Sequence, residues 1–219
     1  MTDLSPSART RVRRHPERAQ YDRDSVRAIL DEALVCHLGF VHDGVPFVIP
    51  TMYARAGDSL YIHGSPASRM LRTAAAGVDV CLTVTLLDGL VLARSVFNHS
   101  LNYRSVVVLG RAREVADAAE KMVAARALVE HVCPGRWEEA RPPSAKELAA
   151  TVVLKLDLGE ASAKVRTGGP KDHEDDMALP VWAGEVPLQT RAKEPVSHPD
   201  LPPGVGVPAY ASGYRRPGW

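Results

Sequence analysis

The 219-residue sequence lacks four features that would each point to a class of protein. No apolar run approaches the length of a membrane span, and the polar N-terminus has no apolar signal core, so we expect a cytoplasmic protein without membrane contact. The formal net charge of +1 shows no basic excess of the kind that duplex nucleic acid requires. No Cys-x-x-Cys pair is present, and no Gly-x-Gly-x-x-Gly follows a predicted strand. These absences disfavour a membrane protein, a nucleic-acid binder, a zinc ribbon and a Rossmann domain.

The three cysteines, Cys36, Cys81 and Cys133, lie far apart along the chain. Cys36 and Cys81 are embedded in apolar runs, which is typical of reduced, buried thiols that pack as small hydrophobic groups. The chain is long enough to bury a substantial core without disulfides or a structural metal.

Hydrophobic periodicity predicts helices over 22–34, 68–77 and 118–135, with short strand-like runs between and after them. Asp43-Gly44 and Asp88-Gly89 each separate two apolar runs, which predicts two β-hairpins. Because tight hairpins join antiparallel strands, about six short strands with a few helices indicate a mainly β, α+β protein built as a small antiparallel barrel.

Composition divides the chain into three parts. Residues 1–20 form an arginine-rich arm, and 21–168 carry the periodic core. Residues 169–219 are rich in proline and glycine and are expected to form an extended arm, with 179–182 (Leu-Pro-Val-Trp) as a local anchor.

The segment YIHGSPASRML (61–71) places polar side chains between a strand and a helix. Ser65, Ser68 and Arg69 offer two hydroxyls and a guanidinium, a donor set that suits a phosphate group. The free amides at the start of the helix would add to the attraction of an anion. The alternative from these residues alone is an ordinary serine-capped helix with a solvated arginine.

A second polar group interrupts the strand-like residues 92–112, where NHSLNYRS precedes the apolar run VVVL. Such a pattern suits a strand that lines a polar ligand with one face, although a solvated hairpin tip would also account for it.

Together these motifs resemble the pyridoxamine 5'-phosphate oxidase-like family, in particular the small flavin-binding proteins near the nitroimidazole-resistance branch. The resemblance covers about residues 10–187. It rests on five motifs: Pro50-Thr51-x-Tyr53, the strand end LYIHGS (60–65), Ser68-Arg69, NYRSVVV (102–108) and LPVWAG (179–184).

The resemblance implies a homodimer of six-stranded antiparallel split β-barrels that binds two FMN molecules between its subunits. The strand with Pro50, Thr51 and Tyr53 would run along the isoalloxazine ring, and Ser65, Ser68 and Arg69 would hold the phosphate. The remaining implied cofactor contacts are Tyr103, Arg104, Ser105 and Trp182, the last of these stacking near the ring. His63 would lie near the flavin, as a hydrogen-bond donor or as a catalytic proton shuttle.

The chain lacks the second set of basic residues that would grip pyridoxamine phosphate, so we do not expect the vitamin B6 reaction itself. We expect an FMN-dependent oxidoreductase that passes electrons between a reduced donor and a small organic acceptor. One alternative is a non-catalytic protein on the same scaffold that binds haem or a deazaflavin, with His63, His99 or His173 as a metal or haem ligand. A further alternative is a flavin-bearing regulator whose two arms contact a partner.

Overall fold

A computed structural model describes residues 3–219 of the chain. Its helices are α1 (Arg23–Glu32), α2 (Arg69–Ala75), α3 (Ala118–Val132), α4 (Ala145–Ala149) and α5 (Ala209–Ser212). Its strands are β1 (Ala19–Gln20), β2 (Val35–His42), β3 (Val45–Met52), β4 (Ala54–Ala56), β5 (Ser59–Gly64), β6 (Asp79–Leu92), β7 (Ser100–Arg111), β8 (Arg113–Glu114), β9 (Val152–Asp157), β10 (Ala161–Arg166) and β11 (Gly184–Pro187). The three helices predicted from the sequence correspond to α1, α2 and α3.

The strands form two open antiparallel sheets. The larger sheet has seven strands in the order β1-β10-β7-β6-β2-β3, with β11 added alongside β6. The smaller sheet has the order β4-β5-β9-β8. The prediction of a mainly β, antiparallel split barrel with flanking helices is therefore confirmed. None of the helices within residues 3–219 has the length and apolar character needed to cross a membrane.

The hydrophobic core lies between the two sheets and is closed by α1 and α2. Alternate residues of β2, β6 and β7 point into it, and Leu38, Val84 and Val106 are fully buried there. Cys36 also belongs to this core, as predicted, and burial raises the pKa of its thiol to about 12. A smaller cluster forms on the other side of β5, where Tyr61 and Val153 pack beneath Ala124 of α3. The smaller sheet therefore has packed side chains on both of its faces.

The two Asp-Gly dipeptides have different structures. Asp43 and Gly44 have φ angles of 49° and 77°, and they form the tight turn between β2 and β3 as predicted. The hairpin predicted at Asp88-Gly89 is wrong, because β6 runs without a break from Asp79 to Leu92. A β-bulge lies there instead, at the point where the register between β6 and β7 shifts.

The C-terminal arm is attached to the body at several places; Asp172, for example, pairs with Arg94 at 2.9 Å. Strand β11 pairs with the far end of β6, and the last residues are fixed to the ends of two helices. Arg216 is 6% exposed; it donates to the carbonyl oxygens of Asp31 (2.6 Å) and Glu32 (2.9 Å) and to that of His131. Since the last carbonyls of a helix have no partner within it, this arginine satisfies the ends of both α1 and α3. The expected anchor at 179–182 is wrong, since Trp182 is 64% exposed.

Candidate functional site

The turn from β5 to α2 brings Ser65, Ser68 and Arg69 together. Ser68 is the N-cap of α2, and its Oγ accepts from the amide of Leu71 at 3.4 Å. The Oγ of Ser65 accepts from the amide of Ala67 at 3.2 Å. The guanidinium of Arg69 lies over the ring of Phe47 at 4.2 Å and forms no ion pair within residues 3–219. The serine hydroxyl hydrogens and the guanidinium donors are therefore available to an acceptor outside the chain.

The edge strand β3 carries the candidates Pro50 and Thr51, and Tyr53 follows directly after it. Pro50 is exposed and Thr51 half-buried, so both can contribute to a surface. Tyr53 is fully buried; its hydroxyl donates to the Leu30 carbonyl at 2.5 Å, and burial raises its pKa. Tyr53 is therefore part of the core and offers no side-chain surface to a ligand.

Arg104 on β7 is held by two carboxylates. Its guanidinium donates to Asp88 at 2.8 and 3.0 Å and to both carboxylate oxygens of Glu32, and these bonds raise its pKa. On either side of it along β7, Tyr103 and Ser105 are half-buried, and the Ser105 hydroxyl donates to the Lys164 carbonyl at 3.3 Å. Arg104 therefore has a structural role, because it links Glu32 of α1 to Asp88 of β6.

Within one chain the candidate residues do not converge on one point. Arg69 contacts Phe47 of β3, which is the cross-strand partner of Phe40 in β2, and Phe40 in turn pairs with Val80 of β6. Arg104 of β7, in contrast, pairs with Leu86 of β6. At a rise of about 3.3 Å per residue, the two positions are about 20 Å apart along β6. Trp182 lies farther still, because Gly184 after it pairs with Leu92.

His63 faces a cavity between the smaller sheet and α3. The cavity has a volume of about 340 Å³ and is bordered on its outer side by residues 137–151, which include α4. Its walls are mainly apolar, with contributions from Leu128, Val129 and Val153, and the cations Lys121 and Arg141 also line it. Of the three histidines considered as ligands, His63 is the one that lines a cavity, since His99 and His173 are exposed.

The ring of His63 makes no hydrogen bond within residues 3–219, and its Nδ1 atom is fully buried. Burial lowers the pKa of the imidazole, which favours its neutral form. A buried polar nitrogen without a partner is rare in a folded protein. The arrangement suits a ligand that supplies a partner to a neutral imidazole.

Sequence reasoning missed the residues that build this cavity. Lys121 and Leu128 were expected only as part of a helix, and Trp137 and Arg141 lie in a connection that gave no motif. The one available signal was the helix itself, since α3 carries apolar residues around most of its circumference and therefore has to be covered on more than one side.

The comparisons with known proteins agree with the fold described above. A family model described as pyridoxamine 5'-phosphate oxidase matches residues 22–165. The structure of the flavocytochrome Anf3 from Azotobacter vinelandii is 46% identical in sequence and has a TM-score of 0.91, with 97% of this chain and 99% of that chain covered. No curated protein matches the sequence.

A second solved structure, the FAD and haem binding protein from Mycobacterium smegmatis, is 37% identical with a TM-score of 0.87, covering 91% of this chain and 98% of that one. A candidate 5-nitroimidazole antibiotic resistance protein from Bacteroides thetaiotaomicron is 22% identical with a TM-score of 0.57, over 67% and 86% of the two chains. At that identity the likeness extends to the fold alone.

Proposed function

Since the chain belongs to the pyridoxamine 5'-phosphate oxidase family, we propose that it is a flavin-dependent oxidoreductase. It passes electrons between a reduced donor and a small organic acceptor. The main support for the proposal is that the β5–α2 turn gathers the hydrogen-bond donors of Ser65, Ser68 and Arg69, in a chain that belongs to a flavin-binding family. When bound, the flavin supplies the electron-transfer chemistry, and the protein supplies binding and orientation.

The β5–α2 turn is the part of the site that would hold the flavin phosphate. A phosphate oxygen accepts hydrogen bonds, and Ser65 and Ser68 keep their hydroxyl hydrogens free because their oxygens accept from backbone amides. Arg69 adds a fork of donors and a positive charge with no ion-pair partner in residues 3–219. Its ring contact with Phe47 restricts the guanidinium, so less side-chain freedom is lost on binding.

The test is a visible spectrum of the purified protein, followed by mass identification of any flavin released on denaturation. The sequence resemblance leads us to propose FMN, whereas the mycobacterial relative is named for FAD, and the released mass distinguishes the two. If the protein bound neither FMN nor FAD after repeated reconstitution, the proposal of a flavin-dependent oxidoreductase would be refuted.

A second candidate ligand is haem, in the cavity at His63. Both relatives above 30% identity are named for it, one as a flavocytochrome and one as a haem binding protein. Haem needs an imidazole nitrogen for its iron, apolar walls for its ring and cations for its carboxylates. His63 with its unpartnered Nδ1 and the apolar wall of α3 match the first two needs. Lys121 is the cation on offer to a haem carboxylate, because Arg141 is already paired with Glu147 on the same wall. A Soret band that appears on haem titration and is lost in the His63→Ala variant tests this assignment.

We also propose that the protein is a homodimer through the outer face of the larger sheet. That face carries exposed apolar side chains, which are Val35 (49%), Val41 (53%), Val48 (64%) and Leu87 (47%). Monomers rarely leave such a surface uncovered, and a second copy of the chain would cover it. Light scattering of the wild type and of Val48→Asp tests the assembly; a monomeric wild type would contradict it.

A further inference from the structure

The C-terminal arm forms a cavity system of its own, which shares no lining residue with the cavity at His63 or with the β5–α2 turn. Its walls are two stretches of the arm, residues 189–194 and 211–219. The second stretch is fixed in place, because Arg216 is buried against the ends of α1 and α3 and the Tyr214 hydroxyl donates to the Val132 carbonyl at 2.6 Å. Although the arm has little regular structure, one wall of this cavity is therefore fixed to the folded body.

One end of the system is cationic. A cavity of about 100 Å³ is lined by Arg191, Lys193 and Arg215 together with the hydroxyl-bearing Ser212 and Tyr214. None of the three cations forms an ion pair within the described residues 3–219, and Glu194 is the one carboxylate on the wall. Three cations against a single carboxylate leave a net positive charge that no group of the described chain neutralises.

The other end is aromatic. A neighbouring cavity of about 280 Å³ shares Arg191 and Arg215 with the first and is completed by Gln189, Tyr214 and Trp219. The two rings meet edge to face with centroids 5.7 Å apart. Both rings line this cavity, and Gln189 adds an amide that can donate and accept hydrogen bonds.

This combination matches the chemistry of a nucleotide. Guanidinium groups bind phosphate oxygens through paired hydrogen bonds, and aromatic rings stack with a base. We propose that the arm cavity binds the nucleoside diphosphate part of a dinucleotide, with Arg191, Lys193 and Arg215 at the diphosphate and Trp219 at the base.

The position of the cavity relates it to Arg104, one of the expected flavin contacts, and this part rests on the proposed function. Gly218, next to Trp219, packs directly against the carboxylate of Glu32, which holds Arg104. The nucleoside diphosphate could come from either of two sources. It is the adenosine diphosphate half of FAD, or it belongs to a nicotinamide dinucleotide that donates electrons to the flavin.

The test starts with ADP alone, titrated by calorimetry into the full chain. We expect wild-type protein to bind ADP and each of Arg191→Ala and Arg215→Ala to weaken it about tenfold or more, the scale of one lost charged hydrogen bond. Arg111→Ala is the matched control, because Arg111 is an exposed arginine of β7 outside these cavities. Arg191 makes no hydrogen bond within residues 3–219, so its removal is not expected to disturb folding; circular dichroism checks this.

Titrations with FAD, FMN and NADPH then identify the source. Weaker FAD binding with unchanged FMN binding in the two variants assigns the cavity to the flavin dinucleotide. Weaker NADPH binding with both flavins unchanged assigns it to the electron donor. Absence of ADP binding to the wild type, or equal ADP affinity in wild type and variants, overturns the proposal. A protein that binds ADP here but no flavin leaves this site standing and removes the proposed function instead.

Discussion

His63 and the Ser65–Arg69 turn follow one another along the chain but lie in different surroundings. His63 has a fully buried, unpartnered nitrogen and faces an apolar cavity under α3. Ser65 and Arg69 are exposed, and Arg69 contacts Phe47 on the opposite side of the barrel. The smaller sheet separates the two, because side chains alternate along β5 and those of Tyr61 and His63 lie on the α3 side.

The difference separates two kinds of chemistry that the sequence had placed in one site. A neutral, half-buried imidazole suits coordination or proton transfer, whereas hydroxyls and an exposed guanidinium suit an anion. If each region holds its own cofactor, a substitution in one region should leave the ligand of the other unchanged.

The largest effect is expected from His63→Ala. Loss of the imidazole removes the one histidine in the cavity, so we expect the Soret band of haem-reconstituted protein to disappear while flavin affinity stays the same. His99→Ala is the control, since His99 is exposed. A Soret band that survives in His63→Ala would show that haem is bound elsewhere, and a simultaneous loss of flavin would join the two regions into one site.

Arg69→Ala should weaken flavin binding by about 1–3 kcal/mol, the usual scale for hydrogen bonds to a charged group. The Soret band should not change. Arg72→Ala on the same helix is the matched control, as Arg72 is also exposed but lies one turn farther from the β5–α2 turn. Flavin fluorescence titration measures both variants, and equal affinities would exclude Arg69 from the phosphate site.

Ser68→Ala should lower the free energy of unfolding by about 1 kcal/mol, because the serine caps α2. Ser65→Ala should lower it less, since Ser65 bonds to the amide of a turn residue, Ala67. Both variants should lose some flavin affinity if the hydroxyls contact the phosphate. Urea denaturation and flavin titration together separate the capping role from the binding role; unchanged flavin affinity in both would leave the serines a structural role only.

The smallest expected effect is on the pH dependence of stability. Burial lowers the pKa of His63 in the folded protein below its value of about 6.5 in the unfolded chain, so the unfolded state binds the proton more strongly. The contribution of His63 to the free energy of unfolding is therefore fully present above pH about 6.5, and it decreases as the pH drops towards the lowered pKa. The unfolding free energy of His63→Gln should decline less than that of the wild type over this range; an identical decline would assign the effect to other groups, such as His131, whose pKa burial also lowers.

Local patterns predicted the parts of the fold that local interactions control. Helices α1, α2 and α3 follow from hydrophobic periodicity, and the turn at Asp43-Gly44 follows from two residues that tolerate positive φ. The same dipeptide at Asp88-Gly89 failed as a signal, because β6 there passes from its pairing with β2 to its pairing with β11 while β7 continues on its other side. Pairing with strands that are distant in the sequence therefore keeps β6 continuous through Asp88 and Gly89.

The sequence alone determined the antiparallel fold class, the family and the donor set at 65–69, because each depends on residue types and short spacings. Only the tertiary structure decided that His63 lies under α3, that Arg104 is bound by Glu32 and Asp88, and that Tyr53 is core. It also brought 189–194 and 211–219 together around one cavity. The physical reason is that burial and charge neutralisation depend on groups that are distant along the chain, which no local pattern records.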